Sequence, residues 1–159
     1  PFREAIVGAD RIVVRDGGFD CCGKSVDKNT VLFTVDDAAE VQSVLAHLQF
    51  QALTTTNSAA DACMCCGHPG IDWYRGNTRI ALTSVQHDKA IRWRGFTTVR
   101  VLGMRTGYGD GPLTADSARW LVDWLAEHGV AGPKKQVEES ARRLEEQKRS
   151  AGGENRTAR

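Results

Sequence analysis

A series of strand-like segments in the middle of the chain constrains the fold more than any other feature. Residues 71–75 and 78–86 are separated by Gly76-Asn77, a pair that suits a two-residue hairpin turn. Residues 89–94 and 98–102 continue the series. Strands that follow one another through such short connections run antiparallel. The middle of the chain therefore predicts an antiparallel meander.

The segments that flank this series predict the other elements. Residues 10–15 and 31–35 have the β-branched and aromatic composition of strands. Residues 37–48 and 114–128 carry apolar side chains at the i, i+3, i+4 and i+7 spacing of an amphipathic helix. We predict an α+β fold, with an antiparallel sheet of about five strands and both helices packed on one face.

Composition and charge pattern predict one domain with an extension. Hydrophobic residues make up 41% of the 159, which suffices for a core in one domain. We assign residues 1–132 to this globular domain. Residues 133–149 predict a charged helix, and residues 150–159 a disordered tail. No apolar run approaches the length of about 20 residues that spans a bilayer.

Five cysteines form the most specific local pattern: Cys21, Cys22, Cys63, Cys65 and Cys66. Cys63 and Cys66 have C-x-x-C spacing and a following glycine, which resembles one half of a zinc knuckle. A tetrahedral site needs two more ligands, for which the candidates are Cys21 or Cys22 and His68 or His87. The cysteine pattern thus indicates a candidate zinc site at Cys22, Cys63, Cys66 and His68.

Three other states of these cysteines compete with a metal site. They can be buried free thiols that act as small hydrophobic residues. A disulfide can join the 21–22 segment to the 63–66 segment, which would indicate an exported protein; reduced cysteines would fit a cytoplasmic one. A redox-active pair is disfavoured, because Gly67-His68-Pro69-Gly70 is turn chemistry and not the start of a helix that would lower a thiol pKa.

Two further patterns suggest surface chemistry. Arg75, Arg92 and Arg94 alternate with aromatic residues, so they could bind phosphates beside stacked bases. Strand alternation favours the simpler interpretation that tryptophan faces the core and arginine faces water. His87-Asp88 could be a general base with the group that orients it. The favoured interpretation is a polar turn between two strands.

Together these patterns favour a non-catalytic binding or protein-interaction domain with a structural cysteine cluster. A thiol- or metal-dependent enzyme centred on Cys63 and Cys66 is the first alternative. The second is a nucleic-acid-binding domain that uses the Arg and Trp sheet face. Net charge is only +1, which favours a protein partner over nucleic acid. The sequence leans away from an enzyme and names no ligand.

Overall fold

The computed structural model of this chain describes residues 2–18, 26–52, 66–93, 100–101, 104–105 and 110–154. Its helices are α1 (Phe2–Ile6), α2 (Ala38–His47), α3 (Ala115–Glu127) and α4 (Gly132–Glu154), with a 3₁₀ turn at Val26–Lys28. Its strands are β1 (Arg11–Arg15), β2 (Val31–Val35), β3 (Gly70–Arg75), β4 (Thr78–Gln86), β5 (Ala90–Trp93), β6 (Arg100–Val101), β7 (Met104–Arg105) and β8 (Asp110–Pro112).

Six strands form one antiparallel sheet in the order β2-β1-β3-β4-β5-β8, and β6 pairs with β7 separately. The predicted α+β architecture is confirmed, with six strands in place of about five. The strand predicted at 98–102 does not continue the meander, since its described part, β6, pairs with β7. The edge position beside β5 belongs to β8, which lies in a stretch where glycine and Pro112 indicate a loop. Proline is tolerated at this edge because it lacks only the N–H, while its carbonyl still accepts from the Gln51 N–H at 2.8 Å.

Helices α2 and α3 cover one face of the sheet, as their apolar spacing predicts. Val41 and Val44 of α2 and Leu121 and Leu125 of α3 belong to the same buried cluster as Trp73 of β3. Each helix begins at a side-chain cap: Asp37 accepts from the Glu40 N–H at 2.8 Å, and Thr114 from the Ser117 N–H at 3.2 Å. Such caps satisfy amide groups that have no partner inside the helix.

The second face of the sheet holds a buried ionic network. Asp72 alternates with the core residue Trp73, so its carboxylate lies on this face; its side chain is 1% exposed. Oδ2 of Asp72 accepts from Nε of Arg15 at 2.9 Å and from an Arg79 nitrogen at 3.3 Å. Arg79 also binds Asp27 of the 3₁₀ turn at 2.7 Å. The network therefore ties the 3₁₀ turn to strands β1, β3 and β4.

Helix α4 leaves the domain soon after it begins. Lys134 pairs with Asp123 of α3 at 2.7 Å, while residues 135–150 are all exposed, including Val137 and Leu144. The helix continues to Glu154, beyond the predicted helix end at residue 149; a disordered tail at 150–159 stays a prediction. Opposite charges three or four residues apart, such as Glu139 and Arg143, favour this continuation. No helix among the described residues is long and apolar enough to cross a membrane.

Candidate functional site

The segment that precedes β3 forms one wall of a pocket at the end of the sheet. It is held by backbone hydrogen bonds to the end of β4: the His68 N–H donates to the Val85 carbonyl at 2.8 Å, and the Val85 N–H donates to the Pro69 carbonyl at 2.9 Å. The Ser84 hydroxyl donates to the Cys66 carbonyl at 2.8 Å. These bonds fix the backbone on both sides of His68.

Gly67 lets this segment lie against β4. Its φ is 71°, and a Cβ at this position would lie 2.6 Å from both the Ser84 hydroxyl and the Val85 carbonyl oxygen. Only glycine combines a positive φ with so close an approach. The glycine that follows Cys66 in the sequence thus serves the packing of two backbone segments.

The turn after β1 supplies the second wall and positions His68. Nε2 of His68 lies 2.9 Å from Oδ1 of Asp16, a residue 52 positions away. An ionised carboxylate only accepts hydrogen bonds, so Nε2 carries a hydrogen atom and donates a hydrogen bond to Asp16. Both side chains are about half exposed, so this bond adds little to the free energy of unfolding. Its main effect is to orient the imidazole ring.

The turn after β4 supplies the third wall. The Lys89 N–H donates to the Gln86 carbonyl at 3.1 Å, which places His87 and Asp88 at the two central positions of a β-turn. Their φ angles are 49° and 56°. The predicted turn between β4 and β5 is confirmed. Positive φ at both central positions is the requirement of a type I′ turn, which Asn-Gly meets far more readily than His-Asp.

Among the described residues that line the pocket, Asp88 has a pKa that departs from its ordinary value. Partial burial raises the pKa of this carboxyl above its ordinary value. The nearby His87, His68 and Lys89 charges act in the opposite direction and reduce the shift. Desolvation outweighs these charges, which is consistent with a side chain that is partly exposed and lines the pocket.

These three walls enclose a pocket of about 510 Å³, completed by Asn29 and by Gln136 from the first turns of α4. Its backbone wall is rich in glycine, namely Gly17, Gly18 and Gly67. Val85 borders it at the backbone that bonds His68 and Pro69, since its side chain is buried in the core. The polar side chains around it include His68, His87 and Asp88. This volume lies in the range of small-molecule sites.

Two of the four predicted metal ligands lie among the residues that the structure describes. Cys66 and His68 both line the pocket, whereas Cys22 and Cys63 lie outside the described residues. Within the described ranges, no group of three His, Cys, Asp or Glu side chains could hold a metal ion. Zinc binding at Cys22, Cys63, Cys66 and His68 stays a prediction.

Of the three arginines proposed as a binding surface, the structure describes Arg75 and Arg92. Arg92 is only 5% exposed, because the second sheet face that was expected to meet water is largely buried at this strand. Arg75 is exposed, but its guanidinium donates to the carbonyls of Val7 and Gly8 just after α1. Arg94 lies outside the described residues.

Several residues that line the pocket or support its walls carry no signal in the sequence. Asp16 and Gly18 read only as a strand breaker, and Asn29 and Gln136 are ordinary polar positions in a loop and a charged helix. Their roles depend on the packing of distant segments. The chain matches no protein-family model, no curated protein and no solved structure with which it was compared. A functional assignment therefore depends on the geometry of the pocket.

Proposed function

We propose that this chain is a non-catalytic domain that binds a small molecule in the pocket between the Asp16–Gly18 turn, the segment before β3 and the His87-Asp88 turn. The positive φ of both His87 and Asp88 carries this proposal. A left-handed conformation costs an ordinary residue about 1–2 kcal/mol, although Asp and His adopt it more often than most residues do. Strained backbone of this kind is concentrated at functional sites, where the side chains serve a purpose other than stability.

The chemistry of the two residues supports the same conclusion. Asn-Gly would relax the turn, yet the chain places an imidazole and a carboxylate there. Both line the pocket, and partial burial raises the pKa of Asp88. A polar turn with no function would gain nothing from desolvating a carboxyl group.

A double variant separates strain from function. In His87→Asn with Asp88→Gly, the turn acquires its preferred residues, so we expect the free energy of unfolding to rise by about 1–2 kcal/mol. A fragment library screened by ligand-observed NMR should give hits with the wild-type protein that the double variant does not bind. The control, Asn77→Gly, alters the hairpin at the opposite end of β4 and should retain every hit. Unchanged binding in a stabilised double variant would contradict the proposal.

We also propose that the cysteine cluster is structural and fixes one wall of this pocket through a disulfide at Cys66. The support is that the Ser84 hydroxyl holds the Cys66 carbonyl at 2.8 Å, so a bridge from Cys66 would anchor the segment before β3 beside β4. The other four cysteines lie outside the described residues. A disulfide at Cys66 would disfavour both a thiol nucleophile and a metal thiolate at this position. A protein partner for the exposed surface of α4 stays a prediction, as does nucleic-acid binding.

A further inference from the structure

Strand β2 forms one edge of the six-stranded sheet. Its residues pair with β1 on the inner side, and no other described strand lies on the outer side. Alternate residues of an antiparallel strand direct their N–H and C=O groups to opposite sides. The outer side of β2 therefore presents backbone groups that can pair with a further strand.

The side chains of β2 give this edge little protection. Natural edge strands are commonly protected by charged residues or by proline, and residues 31–35 include neither. A register shift opposite Val14 and Arg15 makes Leu32 an extra residue of the strand. Such a bulge adds local twist, which is one way to protect an edge. Even so, the neighbouring Val31 and Leu32 remain 47% and 40% exposed, which leaves an apolar surface on the edge strand.

The charges at the two ends of β2 are opposite. Lys28 precedes the strand and Asp36 follows it, and both side chains are exposed. Their acidic neighbours already have partners, since Asp27 binds Arg79 at 2.7 Å and Asp37 caps α2. A strand that pairs antiparallel with β2 would best carry an acidic group beside Lys28 and a basic group beside Asp36, because opposite charges across a strand pair attract.

We propose that this further strand is β2 of a second copy of the chain, so that two six-stranded sheets join into one across a two-fold axis. The strand itself carries the required charges in the required order. Antiparallel pairing brings Lys28 of each copy near Asp36 of the other, whereas a parallel pair would bring like charges together. A two-fold interface uses the same surface on both copies, so the exposed side chains of Val31 and Leu32 cover their counterparts.

Sedimentation velocity of the full chain over a range of concentrations tests this inference. We expect a reversible equilibrium between monomer and dimer. Leu32→Lys places a charge at the interface, as protected edge strands do, so this variant should stay monomeric at concentrations where the wild type is a dimer. Urea denaturation should show that the variant is folded. The matched control is Val137→Lys on α4, where the original side chain is 43% exposed; this variant should retain the dimer.

Charge reversal tests the orientation of the two strands. Lys28→Asp and Asp36→Lys should each raise the Kd of the dimer about tenfold, because each change replaces two attractive contacts with two repulsive ones. The double variant exchanges the two charges and should regain the wild-type Kd. A double variant that dimerises more weakly than both single variants would overturn the antiparallel arrangement.

Three results would overturn the second copy as the occupant of this edge. The first is a wild-type chain that stays monomeric at every concentration. The second is a dimer whose intact mass shows an intermolecular disulfide. The third is a dimer that Val137→Lys disrupts and Leu32→Lys leaves intact, which would assign the contact to α4.

Discussion

A Cβ placed on Gly18 would lie 1.7 Å from the carbonyl oxygen of Cys66 and 2.4 Å from that of Gly67. The turn after β1 and the segment before β3 are therefore in direct backbone contact, and no side chain fits between them. The same contact brings Asp16 within hydrogen-bonding distance of His68. One glycine thus allows two walls of the pocket to meet.

Gly18→Ala should separate these two walls. A backbone carbonyl cannot move aside as a flexible side chain can, so we expect a loss of about 3 kcal/mol or more in the free energy of unfolding. Urea denaturation measures this loss. A long-range ¹H–¹⁵N NMR spectrum of the imidazole rings should also show that the His68 ring has lost its hydrogen bond to Asp16.

Gly132→Ala is the matched control for this substitution. No atom lies within 4 Å of a Cβ at Gly132, and the residue opens α4, where alanine is the better helix former. We expect its stability to be unchanged or slightly higher. Equal losses in the two variants would show that Gly18 has no special packing role.

The sequence predicts those parts of the fold that depend on neighbouring residues. Gly76-Asn77 predicts the hairpin between β3 and β4, and the structure joins Arg75 to Thr78 across that turn. Asp37, which caps α2, stands directly before the first residue of that helix. In each case a short segment contains both the signal and the structure that it specifies.

The pocket could not be predicted because its contacts join distant segments. Asp16 and His68 are 52 positions apart, and neither carries a local motif that points to the other. The His87-Asp88 turn can be predicted as a turn. Its residue types alone do not indicate that both φ angles are positive. Propensity would place Asn-Gly there, so the departure is visible only in the structure.

The proposed disulfide at Cys66 predicts the intact mass of the denatured protein without reductant. With five cysteines, one chain can form at most two bridges, so the mass should be lower by two or four hydrogens, and at least one thiol should react with an alkylating agent. Peptide mapping should join Cys66 to one of the other four cysteines. A denatured mass with no hydrogens missing, together with a native mass that is heavier by one metal ion, would instead support the zinc prediction.

The raised pKa of Asp88 gives the last prediction, which concerns stability against pH. Burial makes the folded protein hold the Asp88 proton more tightly than the unfolded chain does. Stability is therefore lost as pH rises from the ordinary carboxyl pKa, about 3.9, through the raised value, and the loss is complete above it. Asp88→Asn keeps a side chain that tolerates positive φ but has no proton to lose. The variant should match the wild type near pH 3 and become more stable than it towards neutral pH, as measured by urea denaturation at each pH. A difference that stays constant with pH would show that Asp88 is solvated in the folded protein, and would remove the desolvated carboxylate on which the binding proposal depends.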